Sequence, residues 1–534
     1  MPPIKQPQDL KVFCISNLIN NIELHWLKFQ NGGQIDKSLD DPSTNFSRKK
    51  YFIGSFEQLN DKTVDQIIKT LYQSKNFNRN YLCLCLHGRL RSADLSFIKK
   101  ISFFNPLICN FIGKNCINLT ELNLSTLSEI PPKNLCTILN SMKNLKKLDL
   151  SHTKANLTVC QVLAAICPKL EYLNLENCKF IFDDCLDVLN TIPRPLFKYL
   201  NIDNVSLSDD KIEKSLELFK DLKFFLVSEL VDRIWKLYRE QHEENKNEDS
   251  NNFKQYSLET FYIDSDILLK EHHMEALVFT CPKIKFLRIN CLSKNECLKY
   301  LNGFNNLSEL TIANPSVLTL KFRGYFLDFI KSSGAKLKHL TLINLVDVNL
   351  QCIAKYCSNL IKLNVELIDY FDYHHNIDYY YVPCEDSDIE ESEKYFLKNL
   401  DHLSVSNIFS KPDVIHYNVG KFKKHLIQLV SNGKLKTLHL AGLNELDDEF
   451  FRCMFSTHAP RACGFKFIHQ SIKTIEFKGM NSIGPRLITN YLLNDEKNSL
   501  REVILTEFQH TKHPVPEKQS NLELLKLGLS STIL

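Results

Sequence analysis

Several things are missing from this 534-residue chain. No run reaches the roughly 18 uncharged apolar residues that a membrane-spanning helix needs. The opening MPPIKQPQDL lacks the apolar stretch of a secretory leader. Membrane partners are therefore not expected, and the cytoplasm or nucleus is the expected setting. Strong charge is missing too, since 66 basic and 62 acidic residues leave +4, a poor field for attracting nucleic acid. Glycine is scarce, with 15 residues, and none falls in GxGxxG, GxxxxGK[ST] or GxSxG; HExxH is also absent. Nothing at motif level supports catalysis, a metal or another cofactor, and a non-catalytic role is expected.

What is present is leucine and cysteine in a pattern. Residues 167–178 read CPKLEYLNLENC, with leucines spaced three and then two apart. That spacing fits neither an amphipathic helix nor a two-faced strand, but it fits one turn of a solenoid. With Ile, Val or Phe allowed at the apolar places, LxxLxL begins at Leu119, Leu145, Leu170, Phe197 and Leu222, at intervals of 26, 25, 27 and 25. It resumes at Leu258, Ile284, Leu307, Leu337 and Leu360, then at Leu400, Leu435, Ile472, Leu500 and Leu522. YLCLCL (81–86) reads as an earlier, atypical unit. A chain of this length is several domains or a repeat array, and a period near 25 selects the array.

The expected fold is α/β: a leucine-rich repeat solenoid, or horseshoe, of short parallel strands and returning helices over 76–534, preceded by a small α-helical region over 1–75. Irregular segments at 228–257 and 366–399 read as insertions, the second carrying the acidic EDSDIEES (385–392). In each unit the leucines point inward. Asp183 or Asp184 is expected to cap the helix CLDVLNTI, and the 18 cysteines, scattered through apolar runs, should be buried reduced thiols. Cys453, His458, Cys463 and His469 have a spacing that fits no common zinc site.

The N-terminal region holds two expected helices. In 8–25, Leu10, Cys14 and Leu18 fall at i, i+4 and i+8 on one face. In 56–72, Asn60 or Asp61 can cap a helix that carries Leu59 ahead of Val64 and Ile67. The order LxxLxLxxC, helix, CPxL resembles the cysteine-containing class of leucine-rich repeats. L-x3-C-x3-L resembles the BC box of cullin–RING ligase receptors, and the second helix stands where such receptors carry a cullin box. Together these features resemble the Zyg/Zer substrate receptors, without their armadillo-like domain and without the Pro that usually precedes the cullin-box helix. The resemblance implies that Leu10, Cys14 and Leu18 hold Elongin B/C and that Leu59, Val64 and Ile67 meet a cullin. An N-terminal cap helix, or a degenerate F-box in 56–71, are the alternatives.

Residues between the inward leucines face outward and line the concave sheet. Lys147, Tyr172, Tyr199 and Phe224 occupy one such place in successive units, followed by Tyr262, Phe286 and Arg288. Aromatic residues and Arg are enriched in binding hot spots, so a protein substrate is expected there. Further on the face turns polar, with His339, His402 and His439 beside Thr341, Ser404 and Thr437. Two functions follow: an Elongin-containing ubiquitin-ligase receptor that works by proximity, or an interaction scaffold with no ligase role.

Overall fold

The computed structural model describes residues 14–17, 56–73, 85–99, 104–192, 197–219, 221–244, 254–263, 268–314, 320–346, 348–367, 397–407, 425–427, 434–443, 471–479, 502–506 and 524–528, with isolated residues between them. The chain forms two compact units, Met1–Arg233 with Tyr256–Leu258, and Ile234–Gln255 with Glu259–Leu534.

In the first unit, helix α1 (Asp61–Gln73) precedes six strands: β1 (Ser92–Asp94), β2 (Glu121–Asn123), β3 (Lys147–Asp149), β4 (Tyr172–Asn174), β5 (Tyr199–Asn201) and β6 (Phe224–Leu226). Each pairs in parallel with the next, and the residues placed alike in LxxLxL face each other: Leu122, Leu148, Leu173, Leu200 and Phe225 form one row. All five are at most 3% exposed. Between the strands run α2 (Pro106–Asn115), α3 (Pro132–Leu139), α4 (Leu157–Ile166), α5 (Asp183–Leu189) and α6 (Asp209–Leu218), and α7 (Leu230–Glu244), most of which belongs to the second unit, follows β6. A parallel ladder needs such a crossover because its strands cannot be joined by a tight hairpin.

The second unit repeats the plan through β7 (Thr260–Ile263), α8 (Glu271–Thr280), β8 (Phe286–Ile289) and β9 (Glu309–Ala313), then α9 (Tyr325–Ser333), β11 (His339–Ile343), α10 (Leu350–Tyr356) and β13 (Lys362–Leu367). Strands β14 (His402–Asn407), β15 (Thr437–Ala441), β16 (Thr474–Lys478), β17 (Glu502–Thr506) and β18 (Leu524–Gly528) continue the parallel sheet. A separate small ribbon pairs β10 (Leu320–Lys321) with β12 (Leu345–Val346). Every template position placed in the sequence from Leu119 to Leu522 is followed two residues later by a strand. YLCLCL is the exception: Leu82 and Cys85 are helical, and the first strand comes after Leu90.

Two devices recur where the chain turns. The eighth residue of the template takes a left-handed backbone, at Thr126, His152, Asn177, Asn204, Glu229 and Asn344 and, as glycine, at Gly442 and Gly479. Its N–H then donates to the next turn, as from His152 to Glu176 O at 2.8 Å and from Asn177 to Asp203 O at 3.0 Å. Asn and Gly occupy that region at the least steric cost. The second device is the cysteine three residues before the first apolar residue of the template. Cys116, Cys167, Cys281 and Cys357 close helices α2, α4, α8 and α10, and all are fully buried. Burial pushes the Cys167, Cys281 and Cys357 thiols up to about 12, so they act as small apolar fillers rather than nucleophiles.

Helix α1 closes the open edge of the sheet, where unpaired strand N–H groups would otherwise face solvent. Asp61 Oδ2 accepts from Arg91 N at 3.3 Å and Ser92 N at 3.1 Å, and Asp65 Oδ1 accepts from Asp94 N at 3.2 Å. Asn60 caps the helix, accepting from Thr63 N at 2.9 Å. Desolvation, more than the nearby Asp94 and Asp61 charges, raises Asp65 from 3.8 to about 6.

Candidate functional site

Three strands of the first unit carry a ring at the residue before the central leucine. Because the register is one to one, Tyr172 faces Tyr199 and Tyr199 faces Phe224 across the ladder. Their rings stack, at centroid distances of 3.8 Å and 4.1 Å and interplanar angles of 16° and 2°. Adjacent strands are about 4.8 Å apart, so the rings lean together into a continuous strip. All three remain partly exposed. Lys147, next in register, is exposed and its Nζ lies 2.7 Å from Glu121 Oε1, toward the preceding strand.

The two borders of this strip differ in charge. At the start of the strands, Glu171 sits between Lys146 and Lys198, at 3.0 Å and 2.9 Å. Hydrogen bonds from Lys198 and then Lys146 lower its carboxyl below the usual range. At the far end of the strands stand Asp149, Glu176 and Asp203. Asp149 accepts from Ser151 N and Oγ and from Asn174 Nδ2 at 3.1 Å. Glu176 accepts from Asn201 Nδ2 at 3.1 Å, and Asp203 accepts from Ser228 Oγ at 2.7 Å. These partners are neutral, so they fix the carboxylates without cancelling their charge. His152 Nε2 stands 3.9 Å from Glu176. Burial first, and then the Asp149 and Glu176 charges, raise the Tyr172 phenol, against a hydrogen bond with Tyr199 that lowers it.

In the second unit the expected residues split between two rows. Tyr262, 44% exposed, faces Arg288 in register, whereas Phe286 lies opposite Thr260 and Glu309. Arg288 Nε donates to Asn290 Oδ1 at 3.1 Å. Farther along, His339 Nδ1 lies 2.9 Å from Glu309 Oε2, and His439 Nδ1 is 2.8 Å from Ser404 Oγ. Burial, then Lys362 and His439, lowers His402. Among the described residues no group of three metal-binding side chains converges. Cys453, His458, Cys463 and His469 lie outside the described residues.

At the N-terminus, residues 14–17 are helical, Cys14 is exposed and Ile15 is 5% exposed. Leu10 and Leu18 lie outside the described residues. Leu59 is half-buried, but Val64 and Ile67 are 0% exposed. That burial corrects the expectation of cullin contact at Val64 and Ile67, whose apolar surface goes into closing the solenoid. Asp183 is a second correction, because it does not cap α5. Its Oδ1 accepts from Ser208 N at 2.8 Å in the next repeat.

The carboxylate border was not read from the sequence, although the signal for Asp149 and for the turns that carry Glu176 and Asp203 is there. An Asp or Asn stands just after the central apolar residue at Asp94, Asn123, Asp149, Asn174 and Asn201. Each accepts from the N–H two residues on, as from Ser96, Ser125, Ser151, Glu176 and Asp203, an Asx turn that ends the strand.

The fold and its repeat define a leucine-rich repeat protein. No family model matches the chain. A curated relative, F-box/LRR-repeat protein 4 of Bos taurus, is 33% identical over 137 residues, which is 24% of this chain and 22% of that protein. The chain thus matches under a quarter of its relative's length. Among solved structures, the yeast Rad7 and Elc1 complex aligns over 98% of both chains at 13% identity and a TM-score of 0.42. The leucine-rich repeat protein LegL7 of Legionella pneumophila aligns over 52% of this chain and 83% of its own, at 16% identity and a TM-score of 0.31.

Proposed function

We propose that this chain is the substrate-recognition subunit of an Elongin B/C cullin–RING ubiquitin ligase. The concave face of the first unit holds a protein substrate, and the N-terminal helix around Cys14 holds the adaptor. The observation that carries the substrate half is the half-exposed stack of Tyr172, Tyr199 and Phe224: large rigid side chains ordered in advance, so binding costs little further side-chain entropy. One observation supports the adaptor half. Cys14 is exposed while Ile15 is buried, so this helix can seat on the chain and still offer its cysteine outward. The bovine relative's F-box name fits a ubiquitin-ligase receptor in general, and an F-box-type receptor is the alternative to the Elongin adaptor. The chain does no bond chemistry in this reading. It raises the local concentration of substrate lysines near the charged conjugating enzyme.

The test is co-expression with Elongin B and C, comparing wild type with Leu10→Ala/Cys14→Phe. Wild type should co-purify with the adaptor and the double variant should not. Failure of wild type to co-purify, or equal recovery of the variant, removes the Elongin reading. It would favour the second one, an interaction scaffold whose N-terminal helix is a cap, for which the burial of Ile15 is the supporting observation.

A further inference from the structure

The two borders of the aromatic strip set what it can hold. The start of the strands carries Lys146, Lys147, Lys198 and Lys223, of which the first three lie within ion-pair reach of Glu171 or Glu121. The far end carries Asp149, Glu176 and Asp203, held by amide, hydroxyl and backbone donors and facing no Lys or Arg in the ion pairs above. The basic border is therefore largely compensated inside the protein, whereas the acidic border has only His152, whose Nε2 lies 3.9 Å from Glu176. Between them the rings are stacked face on face, so they turn their edges outward. Edges do not offer the open π-faces on which nucleic-acid bases stack, and the carboxylates repel phosphate. Apolar side chains can lie on the edges.

Resting on the substrate-receptor reading, we infer that the strip binds a basic, apolar segment of another protein. Two or three of its Arg or Lys side chains would pair with Asp149, Glu176 and Asp203 while a neighbouring Leu or Phe covers Tyr172 and Tyr199. Glu176 and Asp203 hold the same template place on neighbouring turns, about 4.8 Å apart, and Asp149 stands on the turn before them, two residues earlier in its template. Alternate residues of an extended chain are about 6.6 Å apart, which flexible Arg and Lys side chains can bridge. Neutral hydrogen bonds hold the acceptors in place beforehand, so the partner meets ordered charge.

The probe is the fluorescein-labelled peptide GSRLRFRSG, titrated with the full-length chain by anisotropy at low and high salt. Its controls are the charge-reversed GSELEFESG and a labelled oligothymidylate. The arginine peptide should bind, more weakly at high salt. Asp149→Asn/Glu176→Gln/Asp203→Asn should weaken it about tenfold, the sum of three partly exposed ion pairs. If that variant melts lower than wild type, Glu176→Gln/Asp203→Asn is read in its place, with a several-fold loss expected. Equal or tighter binding of the reversed peptide or the oligonucleotide overturns the inference, as does unchanged binding by a stably folded charge variant. Tyr172→Ala/Tyr199→Ala separates the two levels. If it abolishes binding while the charge variant has no effect, the basic-partner inference falls and the substrate surface stands. If neither variant changes binding, the strip is not the surface and both fall. If wild type binds none of the probes, the basic-partner inference falls and the Elongin test still decides the receptor reading.

Discussion

The two units obey one rule with different strictness. In the first, the template recurs at intervals of 25 to 27 residues from Leu119 to Leu222, and each of those turns gives a strand of three residues. In the second, intervals reach 40, 35 and 37 between Leu360, Leu400, Leu435 and Ile472, and the strands from β9 onward in its sheet have five or six residues. Where the interval is constant, side chains at one place repeat in kind and fall in contact, as with Tyr172 on Tyr199 and Asn174 beside Asn201 in the register. Where it drifts, the outward rows become mixed: Thr341, Asn364, Ser404, His439 and Glu476 stand in one row. A regular repeat thus builds a surface of like residues, and an irregular one builds a heterogeneous polar surface.

Core substitutions in the regular unit should have the largest effect. Leu173→Ala removes a fully buried row member and should cost about 3 kcal/mol, read by chemical denaturation. Gly113→Ala should cost about 2 kcal/mol. A Cβ there would stand 2.7 Å from Thr137 O, which is backbone of the next helix and cannot swing away. Tyr172→Ala/Tyr199→Ala should cost only about 1 kcal/mol, since the rings are half in solvent. A loss as large as that of Leu173→Ala would show that the stack is core and not surface.

Smaller effects should separate the units by pH. Asp65 caps the first unit with a carboxyl raised from 3.8 to about 6. Folding therefore favours its protonated form, a contribution complete below 3.8 and lost as pH rises through 6. Asp65→Asn keeps the acceptor for Asp94 N and should add about 1 kcal/mol at pH 7 and nothing near pH 3.8. In the second unit burial lowers His425 from 6.5 to about 4. Its neutral form is favoured there, a contribution complete above 6.5 and lost as pH falls through 4. Hydrogen exchange between pH 7 and pH 4.5 should show residues 61–94 gaining protection relative to 425–440. His425→Leu should remove the acid sensitivity of the latter.

Most of the fold was legible because LxxLxL is a local pattern: three inward side chains mark each strand wherever the chain later goes. The three-ring stack was legible for the same reason, since register converts equal template positions into neighbours. Other features depend on what lies beside them. Val64 and Ile67 form an amphipathic stripe equally suited to a partner or to a cap, and only the unpaired edge of β1 beneath them decides for the cap. Asp183 reads as a helix cap until the Ser208 N–H of the next repeat is found within its reach. Of the carboxylate border, Asp149 belongs to the recurring Asp and Asn row while Glu176 and Asp203 follow that row by two residues, and that their close side-chain donors are amides and hydroxyls emerges only from the structure.

The most direct test of the central claim, that the regular unit presents the partner surface, is site-specific photo-crosslinking in cells. A benzophenone amino acid replaces Tyr199 in one version of the chain and Thr437, on an outward row of the irregular unit, in another. Discrete protein adducts from position 199, lost on adding Tyr172→Ala, with no matching adducts from position 437, is the predicted result. Adducts from position 437 with none from position 199 would contradict it.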